Sequence, residues 1–145
     1  MIESFSGEYR WLSNFWECNI PYGRTTEHAY QAAKFNSEED RLKILECETP
    51  GKAKAKAKVL VRSMTPDNSE FQNNKLLIMR RLQKAKFCKI NNPELVKLLL
   101  NTNDTYIQEG NHWGDEFWGV NLKTDKGKNN LGIIIMSIRE ELRGW

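Results

Sequence analysis

Cysteine, histidine, proline and long apolar runs are all scarce in this chain of 145 residues. The longest apolar runs, among them Ile133 to Met136, are far too short to cross a membrane, and the first residues lack the pattern of a signal peptide. The three cysteines, Cys18, Cys47 and Cys88, lie far apart without CxxC or CxxH spacing, which excludes a disulfide framework or a zinc knuckle. We therefore expect reduced, buried thiols in a cytoplasmic protein that makes no membrane contact.

The motifs of several enzyme classes are missing as well. The sequence contains no GxGxxG, P-loop, GxSxG or HExxH pattern, so nothing supports a dinucleotide oxidoreductase, an NTPase, a serine esterase with a nucleophile elbow or a zinc protease. Only two histidines are present, His28 and His112. We expect no metal and no cofactor.

Length and charge set the remaining bounds. A chain of this size buries about two-thirds of its unfolded surface, so we expect a single domain over residues 1–145. The net charge of +3, from 22 basic and 19 acidic residues, supports attraction to phosphates without requiring a polynucleotide partner. A small phosphorylated ligand fits this balance equally well.

Capping residues and apolar periodicity predict about five helices. The segment GKAKAKAKVLVR alternates lysine and alanine as a strand would, but both are strong helix formers and Thr49-Pro50 is a typical helix entry, so we predict a helix. Short extended segments are expected at Ile2 to Phe5 and Cys18 to Tyr22. The predicted fold class is mainly α, a compact multi-helical domain with a few short extended segments. The other helix starts are predicted at Thr25 or Thr26, Ser37, Thr65-Pro66-Asp67, Asn92-Pro93 and Asn129 or Asn130.

The first predicted helix, TTEHAYQAAKF over residues 25–35, carries an unusual set of polar side chains. Helical spacing places Glu27, Gln31 and Lys34 on one face beside Tyr30, and we expect that face to be buried. An acid, an amide and an amine that converge in this way indicate a ligand site. The alternative is structural, because an acidic residue in the first turn of a helix is favoured by the helix dipole.

A polar pair, Ser13 and Asn14, interrupts the aromatic stretch GEYRWLSNFWEC. Both residues are candidates for substrate contact. They equally fit a turn held by hydrogen bonds from side chain to backbone, and the aromatic residues around them fit a core.

The segment from residue 101 to 130 has the composition of a loop, and loops on a rigid scaffold often carry function. Its carboxylates Glu109 and Asp115 join Glu27 as candidate reactive groups, since paired carboxyl groups serve glycosidic hydrolysis, including that of N-glycosidic bonds. Trp113 and Trp118 could stack on a departing base. The alternatives are an Asx turn for Asp115 and a core anchor for Trp118-Gly119.

Two lysine-rich segments are candidates for phosphate binding. The four lysines of residues 52–58 spread around a helix and indicate a solvated face rather than joint phosphate binding. In KGKNNLG, residues 126–132, glycine-rich backbone at a helix start forms a plausible anion nest, with Lys128 and Asn129 as candidate substrate contacts.

Four of these stretches occur together and in order: GEYRWLSNF, TTEHAYQAAKF, GNHWGDEFWG and GKNNLGIIIMSIREEL. As a set they resemble the successive motifs of the NADAR (YbiA-like) family, from about Phe5 to Leu142. The resemblance implies a mainly α YbiA-like fold and an N-glycosidase that acts on ribosylated, phosphate-bearing compounds. Those compounds are riboflavin-pathway ribosylaminopyrimidine phosphates or ADP-ribosylated guanine, the latter with transient DNA contact.

The resemblance also assigns positions. It matches the family's Glu-His motif at Glu27, its Ser-Asn-Phe motif at Asn14, its Trp-Gly pair at Trp118-Gly119 and the acid before that pair at Asp115. Glu109 and Lys34 fall at further polar positions. The chain departs from the Arg-Pro-Asp-Trp stretch of many relatives, because it reads Met64-Thr65-Pro66-Asp67-Asn68, with Arg62 as a substitute for the missing charge.

The resulting hypothesis is hydrolysis of a C1′–N bond, with Glu27 as general base or oxocarbenium stabiliser and Asp115 or Glu109 positioning water and ribose. Lys34 holds a ribose hydroxyl or phosphate, or attacks C1′ as an amine. The alternatives are a non-catalytic ADP-ribose or nucleotide binding module and a helical interaction protein.

Overall fold

The computed structural model describes residues 1–64 and 69–144. The chain divides into two compact units. Asn14–Lys86 form one unit, called here the middle unit, and Met1–Ser13 with Phe87–Trp145 form the other, the terminal unit. The prediction of a single domain over 1–145 stays a prediction, and the predicted helix start at Thr65-Pro66-Asp67 lies outside the described residues.

The middle unit is a hairpin followed by four helices. Strands β1 (Glu17–Ile20) and β2 (Gly23–Thr25) pair antiparallel, with a register shift between them. Helix α1 packs against the other three helices and β2. The helices are α1 (Thr26–Ala32), α2 (Glu38–Leu45), α3 (Pro50–Val61) and α4 (Ser69–Lys86).

Side-chain caps begin the first three helices as the sequence predicts. Thr25, Ser37 and Thr49 each accept a hydrogen bond from a backbone N–H of the first turn, which satisfies a donor that the helix itself leaves unpaired. Pro50 follows Thr49 at the first helical position, and the lysine-alanine alternation is helical as predicted.

Small residues of α3 explain how α1 is enclosed. Ala53 and Ala57, one turn apart, are fully buried against Ala32, Phe35 and Ile44. Because alanine presents only a methyl group, the two backbones approach closely. The face that carries Glu27, Tyr30 and Gln31 is buried as predicted, but burial is not limited to that face, since all seven residues of α1 are buried.

The first helix of the terminal unit is a 3-10 helix, Gly7–Leu12, which lies between the two segments predicted to be extended. Two further helices are α5 (Pro93–Leu100) and α6 (Asn130–Arg143). Between them lie two very short parallel strands, β3 (Gly110–Asn111) and β4 (Val120–Asn121), inside the segment predicted to be a loop. The mainly α, multi-helical fold with few short extended segments is confirmed, with six α-helices among the described residues.

Two predictions from composition concern the cysteines and membrane-spanning segments. Cys18, Cys47 and Cys88 are free thiols as expected, but each is half-buried rather than buried. Within residues 1–64 and 69–144, no helix combines the length and apolar character needed to span a membrane.

Candidate active site

The acid of α1 is buried at the start of the helix. Only 8% of Glu27 is exposed, and its Oε1 accepts a hydrogen bond of 2.9 Å from Gln31 Nε2, one turn further on. Thr25 caps the helix with its side chain, so the Glu27 carboxylate is not used for capping. The structural alternative for Glu27 keeps its basis, because the residue lies in the first turn, where the dipole of the helix favours a negative charge.

Burial changes the acidity of two groups around this helix. Burial raises the pKa of Glu27 above its ordinary value, and the hydrogen bond from Gln31 and the charges of Lys54, Lys34 and His28 offset only part of the rise. Burial also lowers the pKa of Lys34, while Glu27 opposes the change. An acid shifted upward and an amine shifted downward both move toward neutral pH, as proton-transfer groups require.

Lys34 follows the helix rather than lying on it. Its N–H donates to the Gln31 carbonyl at 3.2 Å, in a tight turn after Ala32. The Nζ atom lies 5.7 Å from the ring centre of Tyr30 and 5.8 Å from that of Phe71. Tyr30 itself is buried against Phe71 in an edge-to-face contact. The two rings thus shield one side of the amine from water.

Asn14 is tied to the same helix. Its backbone carbonyl accepts the Glu27 N–H at 3.1 Å, and its Oδ1 accepts the Thr26 hydroxyl at 2.9 Å. Gln83 Nε2 also donates to Asn14 Oδ1, at 2.6 Å, from the fully buried face of α4. These bonds fix the Asn14 side chain beside the start of α1.

Gln83 is a further buried polar residue of this site, and the sequence patterns did not predict it. Its Oε1 is buried with no hydrogen-bond partner among the described residues, and its neighbour one turn earlier is Met79, whose sulfur receives hydrogen bonds from Asn14 and Gln83. A single amide inside the apolar stripe of α4 was the available signal, since a buried polar residue without an obvious partner is uncommon.

His28 is structural. It is fully buried, its Nε2 donates to the Cys47 carbonyl at 2.9 Å, and its Nδ1 lies 2.8 Å from the Thr25 hydroxyl. Both ring nitrogens are therefore occupied, and the ring joins the start of α1 to the end of α2.

In the terminal unit, Asp115 orders its own loop. Its Oδ1 accepts hydrogen bonds from the N–H groups of Phe117 at 3.0 Å and Trp118 at 2.9 Å. These are the hydrogen bonds of an Asx turn, the structural alternative that the sequence offers for Asp115. The Asn111 side chain bonds both backbone groups of Asp115 and donates to Glu109 Oε2 at 3.1 Å. Asn111 thereby links the carboxylate of Glu109 to the backbone of Asp115.

Gly119 and Asn129 also lie against Glu109. A side chain at Gly119 would overlap the carboxylate and the carbonyl of Glu109, so this position requires a close approach of backbone that only glycine permits. Asn129 is buried, and its amide accepts the Glu109 N–H and donates to Ile107 and Tyr106. Asn129 stands at the start of α6, but its side chain does not cap that helix.

The remaining predicted contacts lie nearer the surface of the terminal unit. Trp113 is 68% exposed, while Trp118 is half-buried and packs edge-to-face on Phe117. Lys128 is exposed, with its amine 5.7 Å from the Phe117 ring centre. Ser13 is half-buried at the end of the 3-10 helix. Substrate contact by all of these residues stays a prediction, and no cluster of metal-ligating side chains occurs in the part of the chain that the structure describes.

A solved structure shares this fold over nearly the whole chain. The NMR structure of the Escherichia coli protein YbiA superposes with a TM-score of 0.79 at 30% identity, covering 99% of this chain and 87% of that one. The N-glycosidase YbiA of Escherichia coli (strain K12) is 33% identical over 144 residues, 96% of this chain and 85% of that protein.

A riboflavin biosynthesis protein of Vibrio vulnificus is 33% identical over 136 residues, 91% of this chain. This chain spans only 35% of the length of that relative. The model of the NADAR domain matches residues 3–143. The chain therefore belongs to the NADAR family, and the family prediction made from the four motifs is confirmed.

Proposed function

We propose that this protein hydrolyses the C1′–N bond of a small riboside that carries phosphate. The observation that carries the proposal is the buried Glu27 carboxyl, hydrogen-bonded to Gln31 and electrostatically coupled to Lys34. N-glycosidase is the activity in the names of several relatives that match most of this chain at about one-third identity. The chain is accordingly a hydrolase of N-glycosyl bonds.

The reaction needs the groups that α1 supplies. The C1′–N bond breaks, positive charge develops on C1′ and the ring oxygen, water adds to C1′, and the departing nitrogen gains a proton. A carboxylate next to C1′ stabilises that charge and accepts the proton of the attacking water. The raised pKa of Glu27 brings its titration closer to neutral pH, where accepting and returning a proton are both easy. The roles of Glu109 and Asp115 in positioning water and ribose stay predictions.

The substrate class follows from the relatives and from charge. One relative is named a riboflavin biosynthesis protein, which supports ribosylaminopyrimidine phosphates as the first substrates to test. ADP-ribosylated guanine is the second class, with the half-buried Trp118 or the exposed Trp113 as stacking partners for a base. Transient DNA contact and a cytoplasmic location belong to the same proposal.

A substrate panel tests the function. Purified protein is incubated with the ribosylaminopyrimidine phosphates and with ADP-ribosylated guanosine, and free base is quantified by chromatography. We expect release from at least one compound and faster release from the pyrimidine series. Tight binding of ADP-ribose with no release from any compound would contradict the proposal and favour the non-catalytic binding module.

A further inference from the structure

A cavity of about 540 Å³ lies within the middle unit, beside the end of α1. Gln31 and Lys34 line it together with Gly51, Lys54, Lys58 and Arg62 of α3 and its C-terminal cap. Four of these six residues carry cationic side chains. The cavity therefore adjoins the candidate catalytic groups and has a strongly positive wall.

Helical spacing explains why these residues share the cavity. Lys54, Lys58 and Arg62 follow one another at intervals of four residues, so they lie on one face of α3. The four lysines of residues 52–58 are exposed and spread around the helix as the sequence predicts, and only Lys54 and Lys58 of them line the cavity. Lys52 pairs with Glu48 at 3.0 Å, and Lys56 is exposed and does not line the cavity.

Lys34 and Lys54 of this wall interact with the buried carboxyl of Glu27, but the cations of the wall are not neutralised by ion pairs among the described residues. None of the ion pairs formed between described residues involves Lys34, Lys54, Lys58 or Arg62. Like charges held close together repel, and the charge of Lys54 contributes to the lowered pKa of Lys34. Binding of an anion would relieve this repulsion, and phosphate suits such a group of lysines and an arginine.

A second observation indicates what accompanies the anion. Gln31 is buried, its Nε2 is committed to Glu27, and its Oε1 has no hydrogen-bond partner in the described chain. A buried acceptor without a partner is costly, and a hydroxyl donor from a ligand would satisfy it. A sugar phosphate supplies both the hydroxyl and the anion.

We propose that Lys54, Lys58 and Arg62 form a phosphate subsite, and that the cavity holds the phosphorylated ribose of the substrate with a ribose hydroxyl on Gln31. The identity of the substrate rests on the proposed function. The subsite itself is a binding property, and it can be measured without turnover.

Calorimetric titration with ribose 5-phosphate and with ribose at low salt tests the subsite. We expect the wild-type protein to bind the phosphate form at least about tenfold more tightly, since that ratio corresponds to about 1.4 kcal/mol, within the range of one charge-assisted contact. Lys54→Gln, Lys58→Gln and Arg62→Gln should each weaken ribose 5-phosphate about tenfold and leave ribose unchanged. Raising the salt concentration should reduce the preference, because these charges are exposed.

Lys56→Gln is the matched control, because it removes the same charge from another face of the same helix. The inference is overturned if wild-type protein shows no preference for ribose 5-phosphate, or if Lys56→Gln weakens binding as much as Lys58→Gln does. Base release in the substrate panel together with unaltered binding in all three variants would reject the subsite and keep the glycosidase. Weakened binding of ribose 5-phosphate in the three variants, with no base release from any compound of the panel, would keep the subsite and reject the glycosidase.

Discussion

At the scale of single residues, the chemistry of the middle unit depends on burial of two groups of opposite charge. Glu27 and Lys34 have ordinary polar side chains in the sequence, and only their surroundings shift their acidity. The sequence predicted that these residue types share one helix. It could not predict the shifts, because they depend on Phe71 and the other residues that long-range packing brings to α1.

The lowered pKa of Lys34 bears on how C1′ is attacked. Water activated by Glu27 and the amine of Lys34 are the two candidate nucleophiles, and an amine that loses its proton more readily is the better one of its kind. Attack by Nζ would expel the base, and opening of the ribose ring would leave an imine on Lys34. Sodium borohydride added during turnover of the cleaved substrate distinguishes the two routes. The amine route predicts a reduced sugar on the tryptic peptide that contains Lys34, and the water route predicts an unlabelled protein.

Lys34→Arg is the control for this labelling, since arginine keeps the charge without an attacking amine. If the amine attacks, mass spectrometry finds the adduct in the wild-type protein and none in the variant. A wild-type protein that turns over substrate and remains unlabelled would contradict the amine route and leave water as the nucleophile.

At the scale of elements, capping and periodicity identify the helices but not which residues neighbour them. Thr25, Ser37 and Thr49 begin their helices as predicted, because a cap is a local interaction within four residues. The complete burial of α1 depends on which helices pack against each other. The same packing determines which lysines of α3 line the cavity. Those contacts join residues far apart in sequence, which local patterns do not encode.

The segment between α5 and α6 shows the same limit. Its composition predicts a functional loop. The Asx turn at Asp115, the structural alternative offered by the sequence, is present. The hydrogen bond from the Glu109 N–H to the Asn129 side chain joins residues 20 positions apart, so no local sequence pattern predicts it. Gly119 was noted only as part of a Trp-Gly pair, although the packing of Glu109 explains why a glycine is needed there.

Gly119→Ala tests that packing. The new methyl group would overlap the Glu109 carboxylate and carbonyl and crowd the Asn111 amide. We expect the free energy of unfolding to fall by about 1–3 kcal/mol, the usual cost of overpacking. Urea denaturation measures it, with Gly144→Ala as the control, because a Cβ there meets only the Glu141 carbonyl at an ordinary 3.5 Å. Equal stability of Gly119→Ala and Gly144→Ala would contradict the account.

At the scale of the whole molecule, stability and activity are linked through Glu27. Its raised pKa means that the folded protein keeps a proton that the unfolded chain releases near its ordinary value of 4.5. The stability from that proton is fully present below this pH and is lost as pH rises through the raised pKa. The tendency of this buried carboxyl to ionise above pH 4.5 therefore lowers the stability of the fold, as groups kept for function often do.

Lys86 adds a contribution of opposite sign. It is fully buried, and burial lowers its pKa to about 7. The folded protein thus releases this proton more readily than the unfolded chain does, so stability rises as pH increases from about 7 toward 10.5. The effect of Glu27 must for this reason be measured as a difference between a variant and the wild-type protein at each pH.

Glu27→Gln, assayed for both base release and thermal unfolding, tests the central claim most directly. Glutamine can still accept the hydrogen bond from Gln31 Nε2, so the fold should persist. We expect base release to fall by about 10³-fold or more, as for loss of a general base. We also expect Tm at pH 7–8 to be higher in the variant than in the wild-type protein, and this gain should vanish below pH 4.5, where the carboxyl is protonated in both the folded and the unfolded wild-type protein. A variant that releases base at the wild-type rate, or that unfolds at a lower temperature than the wild-type protein at pH 8, would contradict the account.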